Sequence, residues 1–267
     1  MWDKYTQVKQ ALADMGSVLV AYSGGVDSTL LLKAAHDALG ARAVGVLALS
    51  ELVTPPEATA ALAVAGEVIG ADVVTVEVAP LSDPAFVANP PERCYVCKRL
   101  IVSALLAYAH EHGFAVVADG SNADDLSDYR PGARAARELG VRSPLQEVGL
   151  TKAEIRALSR ALGLPTWDMP SAACLASRLP YGDPVTAAAL AQIARAEAAL
   201  RALGFRELRV RQHRDVARIE LPPDAFPVAL AHREAIVAAL KAAGYAYVTL
   251  DLQGLRSGSM NEPLERK

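Results

Sequence analysis

The stretch VLVAYSGGVDSTLLLKAA, Val18 to Ala35, constrains the fold more than any other part of this chain. A valine-rich apolar run reads as a buried strand, Gly24 and Gly25 permit a tight turn, and the leucine-rich segment after them has helical spacing. A strand that delivers a glycine turn straight into a helix aims backbone N–H groups and the positive end of the helix dipole at one point. Ser23, Gly24, Gly25, Val26, Asp27 and Ser28 are therefore read as a cradle for an anion. The stretch has neither the lysine of a Walker A loop, G-x-x-x-x-G-K-[ST], nor the G-x-G-x-x-G of a dinucleotide fold.

The flanking pattern supplies the setting. Strand candidates at 18–22, 43–49, 72–78 and 115–119 alternate with helix candidates at 29–39, 56–69, 92–112 and 151–162. Such alternation is the signature of a parallel sheet covered by helices. Thr151 and Glu154 in TKAE form a capping-box pattern at the start of the last helix. The segment PTWDMPSAACLASRLPYGDP, 165–184, is rich in proline and reads as a linker or active loop. Beyond it a helix at 186–203, strands at 207–212 and 217–221, a helix at 228–243 and a strand at 247–252 suggest a small α+β domain. The expected division is 1–170 and 171–267, and 254–267 reads as loop and frayed end.

A chain of 267 residues is long enough for one large domain and a smaller one. No apolar run reaches membrane-spanning length, and the opening residues lack a signal-peptide core. The expectation is a cytoplasmic protein with no membrane partner. The net charge of −3 argues against a surface built to neutralise a nucleic-acid backbone. In a reducing compartment, three cysteines point to metal binding or reactivity rather than to a disulfide framework. Cys94 and Cys97 lie in a C-x-x-C near a helix start, where i, i+3 spacing puts both sulfurs on one face. Cys174 stands apart in SAACLASRLPYG. Buried inert thiols, a redox pair, half of a zinc site and an iron–sulfur cluster all remain open from spacing alone.

S-G-G-x-D-S between a strand and a helix resembles the pyrophosphate loop of the adenine-nucleotide alpha-hydrolase superfamily, the PP-loop ATP pyrophosphatases. That resemblance implies that ATP is cleaved between its alpha and beta phosphates and that the loop holds the departing pyrophosphate, aided by Mg²⁺. The segments AYSGGVDSTLLL, LSELVTPPE, DGSNADDLSDYRPG, PSAACLASRLPYG, RVRQHRDVARIELP and YVTLDLQGLRSGSMNE extend the likeness over nearly the whole chain. Together they resemble the LarE family of ATP-dependent sulfur transferases in nickel-pincer nucleotide biosynthesis. The fold so implied is α/β, a parallel-sheet PP-loop domain with a smaller C-terminal α+β domain. The activity implied is adenylation of a carboxylate of pyridinium-3,5-biscarboxylic acid mononucleotide, followed by conversion to a thiocarboxylate.

Two sulfur sources follow from the resemblance. In one, Cys174 is a sacrificial donor that ends as dehydroalanine. In the other, Cys94, Cys97 and Cys174 hold a [4Fe-4S] cluster that carries an extra sulfide, and retention of all three cysteines favours this form. The family also implies a homo-oligomer. Asp27 and Arg178 join Cys174 as candidate catalytic residues, and Ser50, at a strand end, joins the loop as a nucleotide contact.

In ELRVRQH, Leu208, Val210 and Gln212 alternate with Arg209, Arg211 and His213, so one face is largely apolar and the other cationic. Arg209 and Arg211, with Arg256 in a glycine-bearing loop, are candidates for the substrate phosphate. An ordinary strand neutralised by Asp215 or Glu220 explains the same pattern. Asp124, Asp125 and Asp128 follow a strand end; Asp125 is the chosen Mg²⁺ candidate, although turn formation accounts for such residues equally. Glu220 and Asp224 bracket LPP; they are read as balancing the charge of the arginine strand, with a divalent-metal site as the alternative. The rival functions are a tRNA thiolase, an ammonia-fed amide ligase and a nucleotide-sensing module.

Overall fold

The computed structural model describes residues 1–127, 131–170, 174–256 and 259. The chain divides into two compact units, Met1–Pro80 with Glu92–Ser171, and Leu81–Pro91 with Ala172–Lys267. An excursion of the first half, Leu81–Pro91, thus belongs with the second unit.

The first unit opens with α1 (Trp2–Asp14), β1 (Val18–Ala21), α2 (Val26–Leu39), β2 (Ala43–Leu49), α3 (Pro55–Ala63) and β3 (Val73–Glu77). The expected helix 56–69 is in fact α-helical only to Ala63 and continues as a π-helical turn over Val64–Ile69. The excursion carries α4 (Pro84–Val87). The first unit then resumes with α5 (Arg93–Glu111), β4 (Val116–Ala118), α6 (Pro131–Glu138), α7 (Pro144–Glu147) and α8 (Lys152–Ala161).

Among the described residues the four strands form one parallel sheet in the order β3-β2-β1-β4. Val18, Leu19 and Val20 of β1 are wholly buried, as a parallel strand is when helices cover both faces of its sheet. Val18 and Val20 pack with Leu12 of α1, Leu31 of α2 and Leu158 of α8. Leu19 shares the opposite face with Val46, Val117 and Leu105 of α5. Each such aliphatic side chain stabilises the fold by about 1.5–3 kcal/mol. The chain runs outward from β1 through β2 to β3, then returns to place β4 on the other side of β1. The C-terminal ends of β1 and β4 therefore frame a topological switch point, the place where open α/β sheets bind ligands.

The second unit contains α9 (Ala187–Ala202), β5 (Arg209–His213), β6 (Val216–Glu220), α10 (Phe226–Ala231), α11 (Arg233–Ala242) and β7 (Tyr247–Leu250). β5 pairs antiparallel and β7 parallel with β6. Leu200, Val210, Ile219 and Leu240 join its core. The expected helix 228–243 is two helices, because His232 leaves helical geometry at φ −96, ψ 14. Asn89, buried and at φ 53, ties the excursion in by donating from Nδ2 to the carbonyls of Pro180 at 2.7 Å and Asp183 at 2.8 Å. No described helix is long and apolar enough to cross a membrane.

Candidate functional site

The anion cradle is built at the switch point. Gly24 takes φ +75, and a Cβ there would lie 2.6 Å from Cβ of Ala61 on α3, so both the turn and the close approach require glycine. Gly25 precedes α2 in extended geometry, and no side chain caps the helix. Its first N–H groups and its dipole are left to act on whatever lies before them. Val26 is buried in the core, while Ser28 Oγ donates to the Gly25 carbonyl at 3.1 Å and lies 3.1 Å from Ser23 Oγ. The Ser23 N–H donates to Ser28 Oγ at 3.2 Å.

Residues after β4 close the other side. A Cβ on Gly120 would fall 2.9 Å from Ser28 N, 3.0 Å from Asp27 C and 3.2 Å from Asp27 Cβ, which is backbone contact with little room to yield. We expect Gly120→Ala to destabilise the fold by about 1–3 kcal/mol, the usual cost of overpacking. An unchanged denaturation midpoint would show that the two segments move apart freely.

Asp27 accepts from Asn122 Nδ2 at 3.3 Å and from the Lys152 ammonium. Asp119, nearly buried, accepts from Lys98 Nζ at 3.0 Å, Ser143 Oγ at 2.8 Å and the Ser121 N–H at 3.2 Å. Burial alone pushes the Asp119 carboxyl upward, but the Lys98 charge and these hydrogen bonds outweigh it and hold the pKa below its ordinary value. Lys98, Asp119, Gly120, Asn122 and Lys152 are not among the site candidates that the sequence alone marks. The strand-end motif DGSN and the lysine of TKAE are the signals that point to them.

Lys98 follows Cys97 on α5. Its ion pair to the end of β4 therefore ties the cysteine-bearing turn of α5 to the segment that packs on the cradle. Cys94 and Cys97 lie in the first turns of that helix and form no disulfide, with Cys94 exposed. Cys174, also outside any disulfide and exposed, lies in the second unit at the start of the short turn Leu175–Arg178. Among the described residues no group of three or more His, Cys, Asp or Glu side chains is placed to hold a metal ion.

Two other candidates of the first unit serve local turns. Ser50 Oγ accepts from the Leu52 N–H at 3.3 Å, and Asp125 Oδ2 accepts from the Asn122 N–H at 2.9 Å. Asp124 accepts from the Lys152 N–H at 2.8 Å. Asp128 lies outside the described residues.

In the second unit the alternating arginine strand is not split cleanly into an inner and an outer face. Arg211 is only 2% exposed. Its guanidinium donates to Glu220 at 2.9 Å, to the Ser177 carbonyl at 2.7 Å and to Ser259 Oγ at 3.0 Å. Glu220 also pairs with Arg218 at 3.1 Å. Arg178, likewise buried, is forked onto Glu197 at 2.7 and 3.1 Å and reaches the Cys174 carbonyl at 3.3 Å. Arg209 is half-buried and makes a long 3.4 Å contact with the Arg256 carbonyl. Its pKa is held below the ordinary value, first by burial and then by the charges of Arg211 and Arg178. An anion placed beside Arg209 would relieve that repulsion. Arg256 itself donates to Gln253.

No family model matches the chain. It is 44% identical to the pyridinium-3,5-bisthiocarboxylic acid mononucleotide synthase of Lactiplantibacillus plantarum, over 96% of its own length and 93% of the relative. It is 43% identical to an uncharacterized protein of Synechocystis sp., over 98% of both chains. A more distant likeness, 26% identity over 67% of the chain and 58% of the relative, joins it to a component of the glutamine-hydrolyzing GMP synthase of Archaeoglobus fulgidus. With the identity to the Lactiplantibacillus plantarum synthase extending over nearly the full length of both proteins, the chain belongs to the LarE family.

Proposed function

We propose that this chain uses ATP to activate a carboxylate of pyridinium-3,5-biscarboxylic acid mononucleotide and converts it to a thiocarboxylate. The full-length likeness to the named synthase carries this reading, and the uncapped helix start at the switch point supports it. A carboxylate oxygen attacks the alpha phosphorus of ATP, the bond to the bridging oxygen breaks, and pyrophosphate leaves with its electron pair. The backbone donors of Ser23–Ser28 stabilise the charge that gathers on the leaving group. Mg²⁺ suits the hard oxygens here, and Asp27 and Asp125 are the carboxylates that would hold it. Arg209, Arg211 and Arg256 are assigned to the substrate phosphate, and Arg209 is the one beside which the charges of Arg211 and Arg178 gather. Ser50 is assigned to the nucleoside end.

The sulfur nucleophile then attacks the acyl carbon and expels AMP. Cys94, Cys97 and Cys174 are three cysteines outside any disulfide, a donor set that fits a [4Fe-4S] cluster in type and in the spacing of the first pair. Such a cluster, when bound, would supply an extra sulfide at its open iron. A second reading is supported by the exposure of Cys174. Here the Cys174 thiolate attacks, giving a thioester and AMP, and elimination across its Cα–Cβ bond releases the thiocarboxylate and leaves dehydroalanine.

Anaerobic purification with iron and sulfide analysis, followed by whole-protein mass after turnover, separates the two. An iron-bearing chain of unchanged mass is expected for the cluster form. An iron-free chain lighter by hydrogen sulfide establishes the sacrificial form. Absence of AMP with this substrate rejects the adenylating reaction altogether.

A further inference from the structure

We infer that Arg156 is a positioning residue that tethers the chain leading to Cys174 onto α8, so that sulfur reaches the activated acyl carbon ahead of water; this rests on the ATP-dependent reading above. Its guanidinium forks across two backbone carbonyls, Nη1 donating to Trp167 and Nη2 to Met169, both at 2.7 Å. The same segment carries two turns, the Trp167 N–H on the Leu164 carbonyl at 3.3 Å and the Met169 N–H on the Thr166 carbonyl at 3.1 Å. Thr166 is buried, and the Arg160 guanidinium stands 4.8 Å from the centre of the Trp167 ring. Arg156 and Arg160 are four apart on α8, so one face of the helix grips the segment from Trp167 to Met169.

Satisfying polar groups is a weak account of this fork. Trp167 is 36% exposed and Met169 41%, and where the chain is so open, water is an available partner for a carbonyl. Holding an arginine side chain in one geometry also costs about 1.5–2 kcal/mol of rotamer freedom. What the fork adds is a fixed point on the chain. Lys152, one turn earlier on α8, is bound to Asp27 of the cradle turn, and about 6 Å of helix separates it from Arg156. Cys174 follows Met169 by five residues, a span of at most about 18 Å of extended chain. One helix therefore sets both a contact of the cradle and the point from which the chain departs towards the thiol. Restricting where Cys174 can travel raises the effective concentration of its sulfur at the acyl adenylate. Without that restriction water attacks the acyl carbon instead, AMP leaves with the electron pair of the broken C–O bond, and the original carboxylate returns.

The test is the ratio of thiocarboxylate to AMP formed by the full chain and its variants, with and without added hydrosulfide. Arg156→Met is expected to lower the ratio roughly ten- to a hundredfold, the scale of a small misplacement of a reacting group, with AMP formation within about threefold of the parent. Arg156→Lys keeps the charge but cannot fork two carbonyls, so its ratio should fall by a smaller factor, about two- to fivefold; it carries the test if the Met variant does not fold. Hydrosulfide attacks the adenylate without a tether and should bring the ratio of either variant back towards the parent's. A merely structural role would lower both products together and leave the ratio unmoved, and that result overturns the tether. A lowered ratio that hydrosulfide does not correct overturns it as well. A parent chain that forms no AMP overturns the ATP-dependent reading, and this inference with it.

Discussion

Cys174→Ala is expected to reduce thiocarboxylate formation by roughly a thousandfold or more, the scale seen when a nucleophile is removed, while pyrophosphate release from ATP continues. The two steps draw on different parts of the chain. The cradle of Ser23–Ser28 and the ends of β1 and β4 lie in the first unit, whereas Cys174 lies in the second. Alanine at 174 leaves the Cys174 carbonyl in place for Arg178, so the backbone contact persists and the thiol alone is lost. Pyrophosphate release and product mass, measured in one reaction, report the two steps separately. Retained thiocarboxylate would remove Cys174 from the sulfur path. Cys94→Ala sharpens the result: a three-thiolate cluster makes it equally inactive, while sacrifice of Cys174 leaves it active.

Much of the first unit was legible because each local signal there agrees with the global fold. β2 has the expected ends, Ala43 and Leu49, because an apolar run buried on both sides has no other use. The capping box at Thr151 is equally local, and its two reciprocal hydrogen bonds are present. The cradle could be read because a strand, two glycines and a helix start are contiguous in sequence. Its surroundings could not. Asn122 and Lys152 reach Asp27 from far along the chain, and no short window contains a long-range ion pair.

The second unit hid more. The turn between β5 and β6 is only Arg214 and Asp215, with Arg214 at φ 56. Tight hairpins of this kind usually advertise themselves with Asn or Gly, and this one does not. Burial of Arg211 was illegible for a related reason. Alternation places its side chain on a face but says nothing of Glu220 and Ser259 waiting there.

Glu197→Ala is expected to cost about 3–5 kcal/mol of stability, the range for removing one partner of a buried ion pair. Glu197 is 1% exposed on α9. It accepts both arms of Arg178, a third bond from Arg201 at 3.0 Å and the Val210 N–H at 3.1 Å. Truncation takes both carboxylate acceptors from the Arg178 charge at 4% exposure and the acceptor from a backbone donor of β5, so much of their desolvation is no longer offset. Against a total stability of about 5–15 kcal/mol for an ordinary domain, that loss unfolds a large share of the molecules on mild heating. Urea titration should show a lower midpoint at an unchanged slope. Glu197→Gln keeps an acceptor for Val210 and for one arm of Arg178, so its cost should be smaller. The same guanidinium donates to Ser177 Oγ at 3.1 Å and to the Cys174 carbonyl. Sulfur transfer by the folded Gln variant should therefore fall more than its pyrophosphate release does. Equal losses in both steps would show that Arg178 braces the second unit without orienting Cys174.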